Sequence, residues 1–324
     1  MMENALLLKS SPHFRDQDSV PKIMYAVILS LLPAVLASLY FFHWKALAVY
    51  ACCLAAGLTT EFLFLWIRKK PKNSLWDGSV IITALLLALT LPPSISLDIA
   101  IIGTVVAVSL GKHVFGGLGY NIFNPALVGR AFLQTAFPVA MTTWSPPATL
   151  AVDAVTFATP LGSLKFQDAL AQGTLSPIRD LFWGNVGGSL GETSVFALLI
   201  GAAFLFYKRA IDWRIPTGIL LSLTAFTGIF WLASPDKYAS PLFHLFAGGL
   251  IIGAFFMATD MVTSPLTFWG TWIYALAIGA LVGLIRLFGG LPEGVMFSIL
   301  FMNMFVPLLN RFTRPRILGE RRKT

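Results

Sequence analysis

The sequence has little charge. Only 12% of its 324 residues are Asp, Glu, Lys or Arg, whereas 56% are hydrophobic. Soluble domains carry about 25% charged residues, so the composition excludes a soluble globular protein. Apolar runs of about 20 residues, the length that crosses the hydrocarbon core of a bilayer, recur along the whole chain. We therefore predict an all-α polytopic membrane protein whose helices satisfy their own backbone hydrogen bonds.

Residues that bind metals or act as nucleophiles are also scarce. The chain has two cysteines, Cys52 and Cys53, and four histidines, and none of them has metal-ligand spacing. Neighbours on a helix point about 100° apart, so the two cysteines cannot clasp one metal ion, and we interpret both as packing residues. The chain lacks a Walker loop, a nucleophile elbow and a His-Glu-x-x-His motif, so nothing supports hydrolysis or nucleotide-driven pumping.

Apolar runs and the Pro and Gly residues between them predict about ten transmembrane helices. The ranges are 23–42, 46–67, 79–91, 99–114, 122–137, 193–207, 215–233, 242–258, 266–287 and 294–312. Placing both termini inside puts 17 of the 23 Lys and Arg residues on the cytoplasmic side and five outside, with Arg130 inside a span. Cytoplasmic loops are enriched in Lys and Arg, so this asymmetry predicts a multi-pass protein of the cell's inner membrane with both termini cytoplasmic. The net charge of +8 is thus attributed to span flanks, not to nucleic-acid binding.

A weak internal repeat divides the chain. The third span of each half is short and followed by proline, as in 78–93 and 249–265, and an odd number of spans per half requires opposite orientations. Inverted repeats with interrupted spans are typical of a binding site near the bilayer midplane. We predict a cytoplasmic segment 1–22, five-helix repeats at 23–137 and 193–312, a long external loop at 138–192 and a basic cytoplasmic tail at 313–324.

Several polar residues near the spans are candidates for binding. Asn121 and Asn124 lie in a glycine-rich stretch that lets a backbone approach a ligand, although Asn124 before a proline also predicts a helix N-cap. Arg130 lies about one and a half turns into its span, where it is either functional and paired or reaches the cytoplasmic interface. Asp260 either caps a half-helix or binds a polar ligand, and we expect Glu61 to reach the interface.

The external loop carries one motif. Asp153, Thr156, Ala158 and Thr159 form the pattern Asp-x-x-[Ser/Thr]-x-Ala-Thr. The pattern resembles the acceptor sequence of a flavin transferase, which joins the phosphate of FMN to a threonine hydroxyl by a phosphoester bond, and the acceptor here is Thr159. The alternative is a threonine that precedes a turn set by Pro160.

Four motifs together resemble a known family. They are Asp77-Gly-Ser before a Leu-rich span, Gly-Tyr-Asn-Ile-Phe-Asn-Pro-Ala at 119–126, the threonine motif, and Ala-Thr-Asp-Met-Val-Thr-Ser-Pro at 258–265. In this order, over nearly the whole chain, they are similar to the D subunits of Rnf electron-transport complexes, which are homologous to the B subunits of sodium-pumping NADH:quinone reductases. The chain departs from the family's flavin motif at Ala154, where Gly is common, and at Phe157, where a small residue is common.

The resemblance implies a membrane subunit of a ferredoxin:NAD oxidoreductase complex that couples electron transfer to Na⁺ or H⁺ movement. Thr159 would carry covalent FMN as an attachment point, not a catalyst, and a noncovalent riboflavin is a second cofactor of such proteins. Expected partners are the A, B, C, E and G subunits of the complex, a flavin transferase and the lipid bilayer. Two other hypotheses stay open: a transporter for a small polar solute, with Asp260 and Asn124 in contact with it, and a structural scaffold whose loop is a docking surface.

Overall fold

The computed structural model describes residues 19–70, 75–147, 158–167 and 169–315, and its regular elements there are helices. In chain order they are α1 (Val20–Ile67), α2 (Ser79–Leu89), α3 (Leu97–Val108, extended by a π-helical turn at Ser109–His113), α4 (Pro125–Ala136), α5 (Pro138–Thr142), α6 (Pro160–Phe166), α7 (Ile178–Trp183), α8 (Val195–Tyr207), α9 (Arg214–Ala233), α10 (Pro241–Phe246), α11 (Leu250–Ile252, extended by a π-helical turn at Gly253–Met257), α12 (Phe268–Phe288) and α13 (Val295–Phe312).

Four of these helices, α1, α9, α12 and α13, are long and apolar enough to cross a membrane by length and composition. Helices α2 and α8 are shorter but equally apolar. The prediction of an all-α polytopic membrane protein is therefore confirmed in this general form.

The first two predicted spans both lie in α1, which is interrupted at a single residue. His43 has φ 49° and ψ −127°, outside the helical region, and the two parts of α1 meet there. The break lies in the gap that separates the predicted ranges 23–42 and 46–67. Cys53, on the second part, is fully buried in the core, as predicted for a packing residue, and Cys52 is partly exposed.

The predicted spans 79–91 and 242–258 are not single helices long enough to cross a bilayer. Helix α2 has 11 residues, which is about 16 Å of rise against a hydrocarbon core of about 30 Å. The predicted span 242–258 is split into α10 and α11, because Gly248 between them has φ 70°, a conformation that other residues rarely adopt. Two interrupted spans of this kind were predicted from the Gly and Pro residues around them.

The end of the predicted external loop lies inside the protein. Residues 186–195 are all buried, and two of their amides close the free end of α2: Leu190 N donates to Leu91 O at 3.1 Å and Gly191 N to Leu89 O at 2.6 Å. The segment therefore supplies partners to carbonyl groups that the short helix leaves open. Of the loop aromatics expected to pack, Phe182 and Trp183 contact Phe196 of α8, whereas Phe166 is 66% exposed.

One hydrophobic core joins the two halves of the chain, with residues from α1, α2, α8, α11, α12 and the buried loop segment. Close backbone contact supports it where α9 and α12 pack. A Cβ on Gly279 would lie 2.4 Å from Ile219 O, so the two helices approach at a distance that only glycine permits. Small residues at helix contacts of this kind are typical of membrane bundles, where dispersion forces replace the hydrophobic effect.

Candidate functional site

Thr159 begins the short helix α6. It is the N-cap residue, and its Oγ1 accepts a hydrogen bond from Gly162 N at 3.1 Å, while Pro160 occupies the first helical position. Threonine before proline is a favourable helix start, because the side chain satisfies an amide that has no partner within the helix. The turn set by Pro160, the alternative interpretation of the motif, is thus present as a helix start. The residue is 9% exposed and lines two cavities.

Helix α6 is fixed to the end of α12. Lys165 Nζ donates to Ile285 O, Arg286 O and Leu291 O at 3.1, 3.1 and 2.9 Å. A cation at a helix C-terminus interacts favourably with the unpaired carbonyl groups there. Burial lowers the pKa of Lys165. This contact, together with burial of Leu161 against Leu181 and Phe243, holds Thr159 in place.

Two cavities meet at Thr159. The larger, which we call the Thr159 cavity, has about 580 Å³, and the smaller has about 260 Å³. Apolar and aromatic side chains form much of the larger one, with a few polar groups among them; its walls include Arg130, Gln134, Trp144, Glu293, Met296 and Phe297. The smaller one reaches Leu161, Val186, Glu192, Gly248 and Glu293. Mostly apolar walls with few polar groups are typical of cofactor sites.

Arg130 is buried and paired. Its Nη2 donates to Glu293 Oε2 at 2.8 Å, its Nη1 lies 3.6 Å from Glu192 Oε1, and the residue is only 8% exposed. The alternative that Arg130 reaches the cytoplasmic interface is therefore wrong. The paired interpretation is correct, because a buried guanidinium group requires carboxylate partners.

Glu192 and Glu293 are the residues that the sequence interpretation missed. Burial raises the pKa of the Glu192 carboxyl to about 8, and Glu293 adds to the rise against the opposing charge of Arg130. Burial also disfavours the charge of Glu293, but Arg130 and the hydrogen bond from Glu192 outweigh it and lower the pKa of Glu293. Both residues lie in glycine-rich connections that the sequence places on the same side of the membrane as Thr159. This shared position is the signal that could have indicated them as site residues.

Arg286 joins the same group from α12. It is 5% exposed and donates through Nη2 to Ala247 O at 3.0 Å and through Nη1 to His244 O. Arg286 is one of the five Lys and Arg residues that the charge count assigns to the outer side. It is buried in the protein, and its guanidinium closes the carbonyl groups that are freed where α10 and α11 separate.

The other predicted residues lie in a second site, the Asn124 cavity, of about 750 Å³, which is lined by Asn121, Asn124, Lys112 and Asp260 among others. Asn124 is the N-cap of α4, as predicted: its Oδ1 accepts from Ala126 N at 3.0 Å. Its Nδ2 also donates to Met257 O at 3.2 Å, which connects the two halves of the chain. Asp260 Oδ2 accepts from Thr263 Oγ1 at 3.1 Å, so it caps its own turn as well as facing the cavity.

A buried ion cluster borders the Asn124 cavity. Glu61 is 1% exposed and binds Lys112 Nζ and His113 Nε2, each at 2.8 Å. Lys112 Nζ also donates to Ser79 Oγ at 2.8 Å, and Asp77 Oδ1 accepts from Ser79 N at 2.8 Å. The expectation that Glu61 reaches the interface is wrong, because Glu61 and Lys112 are buried partners of each other.

The predicted residues thus fall into two groups at opposite ends of α4. Asn124 precedes that helix, whereas Gln134 lies ten residues further on, about 15 Å along the axis. Ala158 adjoins Thr159 and is partly exposed. Asp153 and Thr156 lie outside the described residues.

The Thr159 cavity has the groups that a flavin phosphoester needs. A hydroxyl stands at its edge, the guanidinium of Arg130 faces it, and Trp144 and Phe297 supply aromatic surface. Arginine suits phosphate oxygens, and aromatic walls suit a planar ring. The Asn124 cavity has amide groups and hydroxyls but no described motif for covalent attachment.

Known proteins are similar to this chain over nearly its whole length. The family model described as "NQR2, RnfD, RnfE family" matches residues 7–319. The chain is 46% identical to the D subunit of the proton-translocating ferredoxin:NAD⁺ oxidoreductase complex of Clostridium ljungdahlii, covering 99% of this chain and 98% of that protein. It is 44% identical to the D subunit of the Na⁺-translocating ferredoxin:NAD⁺ oxidoreductase complex of Acetobacterium woodii, with 98% and 97% covered. It is 37% identical to the D subunit of the ion-translocating oxidoreductase complex of Aeromonas salmonicida, with 98% and 99% covered. The chain belongs to the NQR2, RnfD, RnfE family.

Proposed function

We propose that this chain is the D subunit of an ion-translocating ferredoxin:NAD⁺ oxidoreductase complex and carries FMN on Thr159. The observation that carries the proposal is the position of Thr159, whose hydroxyl stands at the edge of a cavity that holds a buried guanidinium. Relatives named as the D subunits of such complexes share 44–46% identity over nearly the full length. The A, B, C, E and G subunits of the complex would be its partners, together with a flavin transferase during maturation.

The residues around Thr159 would hold and orient the flavin. Its phosphate, once esterified, keeps one negative charge, and the guanidinium of Arg130 is the cation that faces the cavity. Trp144, Met296 and Phe297 exclude water from the ring. When bound, the flavin supplies the capacity to take up and release electrons one or two at a time, and the protein supplies position and electrostatics. Thr159 itself is only the attachment point.

The Asn124 cavity is our proposed site for noncovalent riboflavin. It has a volume of about 750 Å³, and Asn121, Asn124 and Asp260 offer hydrogen-bond donors and acceptors to a neutral ring and a ribityl chain. The site lies at the opposite end of α4 from Thr159, so two flavins would occupy two levels of one subunit. Coupling to Na⁺ or H⁺ would then depend on partner subunits as well.

For the membrane arrangement we propose ten spans in two inverted five-helix repeats, with the Thr159 cavity facing outwards and both termini in the cytoplasm. Two observations support the repeat. The helices α2 and α11, which belong to the third predicted span of each half, are short, and a glycine with positive φ precedes each of them, Gly78 with 85° and Gly248 with 70°. The charge asymmetry of the connections supports the orientation.

Denaturing electrophoresis with in-gel flavin fluorescence tests the proposal. Wild-type protein made together with a flavin transferase should give a fluorescent band, and Thr159→Val should give none while still inserting into the membrane. Thr142→Val is the matched control: Thr142 lines the same cavity, and its Oγ1 bonds only to main-chain carbonyl groups of its own helix, Pro138 O and Val139 O. A fluorescent Thr159→Val band would move the attachment to another residue.

A transporter for a small polar solute is the second candidate, because Asn124 and Asp260, the residues expected to contact a solute, do line one cavity. Liposomes that contain the chain alone distinguish the two. A transporter would move solute without any redox partner, whereas the subunit we propose would be inactive until the complex is assembled.

A further inference from the structure

Two carboxyl groups face each other beside Thr159. Glu192 comes from the buried loop segment before α8 and Glu293 from the connection between α12 and α13, and both line the small cavity that Thr159 also lines. Glu293 lines the larger Thr159 cavity as well. Its side chain is 21% exposed, whereas that of Glu192 is 5% exposed. The pair therefore has an inner member and a member that reaches the cavity.

The pair must hold a proton. Both carboxyl groups approach one guanidinium: Arg130 Nη2 donates to Glu293 Oε2 at 2.8 Å, and Arg130 Nη1 lies 3.6 Å from Glu192 Oε1. Two carboxylates that share a site also repel, which keeps one of them neutral. The close approach depends on Gly248 and Gly249 beside the pair: a Cβ on Gly248 would lie 2.7 Å from Glu293 Oε1, and a Cβ on Gly249 would lie 3.1 Å from Glu192 Oε1.

The proton lies on Glu192. Glu293 accepts from Arg130 at 2.8 Å and from Gly249 N at 3.2 Å, so its charge is stabilised. Glu192 Oε1 has no hydrogen-bond partner among the described residues and stands 3.6 Å from Arg130 Nη1. A buried carboxyl with fewer donors is the one that stays neutral.

The remaining charges around the pair make loss of that proton tolerable. Arg130 approaches from α4 and Arg286 from α12, while the Lys165 ammonium of α6 is engaged by main-chain carbonyl groups near the C-terminal end of α12. His244 of α10 is the other titratable neighbour, and its carbonyl accepts from Arg286. With Glu192 deprotonated, two carboxylates face two guanidinium groups and the cluster is neutral. The same cluster therefore accommodates both protonation states without a large unpaired charge.

We propose that Glu192 and Glu293 store one proton and exchange it with the redox group on Thr159, Glu192 holding the proton and Glu293 passing it to the cavity. This inference rests on the proposed function. An electron that reaches the flavin from a reduced electron carrier adds one negative charge, and the proton that leaves Glu192 cancels it. Oxidation by the next carrier removes the electron, and the proton returns to Glu192. No other bond forms or breaks in this chain.

Two measurements on the purified complex test the proposal. Infrared spectroscopy at neutral pH should show the carbonyl band of a protonated buried carboxyl in wild type, and Glu192→Gln should remove it. In wild type this band should disappear when the flavin is reduced and return when it is oxidised, because the proton moves within the protein and is not taken from solution. In Glu192→Gln neither change should occur, while Glu192→Asp should restore part of the change and Asp180→Asn, which removes a carboxyl that lines neither cavity, should leave it as in wild type.

The infrared measurement separates the two hypotheses. In Thr159→Val the carboxyl band should persist although no flavin is attached, because the proton belongs to the protein. If flavin stays covalently bound in that variant, the assignment of Thr159 as the attachment point is wrong. The infrared band still shows whether Glu192 and Glu293 hold a proton. A band that survives Glu192→Gln and Glu293→Gln alike, or a wild-type band whose intensity is the same in the oxidised and reduced protein, would overturn the inference. Glutamine preserves the size of each side chain. If one of the two variants does not fold, the infrared band of the other variant still tests the inference.

Discussion

The two cavities at the ends of α4 each border a buried group of opposite charges, but the balance within the groups differs. Beside the Asn124 cavity one carboxylate, Glu61, binds two cationic or neutral partners, Lys112 and His113. Beside the Thr159 cavity one guanidinium, Arg130, faces two carboxyl groups. Both carboxyl oxygens of Glu61 are paired, whereas in the second group Glu192 Oε1 has no hydrogen-bond partner among the described residues. A buried carboxyl that is incompletely paired can hold an exchangeable proton, and a fully paired carboxylate stabilises the fold.

The way the two groups are built explains the difference. Glu61, Lys112 and His113 project from α1 and the π-helical turn of α3, and the His113 ring stacks on Phe64 at a centroid distance of 4.7 Å. Glu192 and Glu293 come from connections that glycine allows to approach closely. Regular helices position one rigid pair, while irregular connections bring two like charges together, an arrangement that costs energy and is typical of functional sites.

The largest expected effect comes from removing the cation of the Thr159 site. Arg130→Met should destabilise the protein by about 3–5 kcal/mol, because it leaves the Glu293 carboxylate buried without its partner. Thermal unfolding in detergent measures this, and Gln134→Met, one turn further along α4, is the control. Adding Glu293→Gln to Arg130→Met should recover part of the loss, since the uncompensated charge is then gone. Equal midpoints for Arg130→Met and wild type would show that the pair contributes little.

A smaller loss is expected at the other end of α4. Glu61→Gln should destabilise by about 3 kcal/mol, at the lower end of the range for a broken buried pair, because Ser79 Oγ still accepts from Lys112. Unlike Arg130→Met, it should leave the covalent flavin band at full intensity. A Glu61→Gln protein without that band would mean that the two sites are coupled and not independent.

Sequence patterns located most helices and named residues that line both cavities, but they did not identify the charged partners of those residues. The Asn-Pro start of α4, the gap at His43 and the prolines after α2 are local signals, and each matches a helix boundary. The Arg130 partners are not local: they depend on residues 186–195 lying inside the protein, and that stretch has the glycines of an exposed loop. The burial of Glu61 against Lys112 was not predicted, because hydropathy is a poor measure of the depth of a residue and does not identify the helix that its side chain faces.

The pH dependence of stability should reveal the buried carboxyl of Glu192. The folded pKa of Glu192 is raised from 4.5 to about 8, so between these values the folded protein binds a proton that the unfolded chain has released. The stabilisation is therefore complete below about pH 4.5 and is lost as the pH rises through about 8. Thermal midpoints of wild type should fall across this window, and Glu192→Gln should flatten the fall. A Glu192→Gln curve parallel to wild type would assign the slope to another group.

The smallest expected loss of stability is at the Asn124 cavity, where the side chain of Asn124 has two roles. Asn124 Oδ1 caps α4 and its Nδ2 donates to Met257 O in the other half of the chain. Asn124→Ser should keep the cap and lose only the second bond, at about 1 kcal/mol. Asn124→Ala should lose both, with a further cost of about 1 kcal/mol for the cap. Unfolding midpoints in detergent give the two steps, and equal midpoints for the serine and alanine variants would mean that the cap contributes nothing and that the contact between the halves accounts for the whole effect.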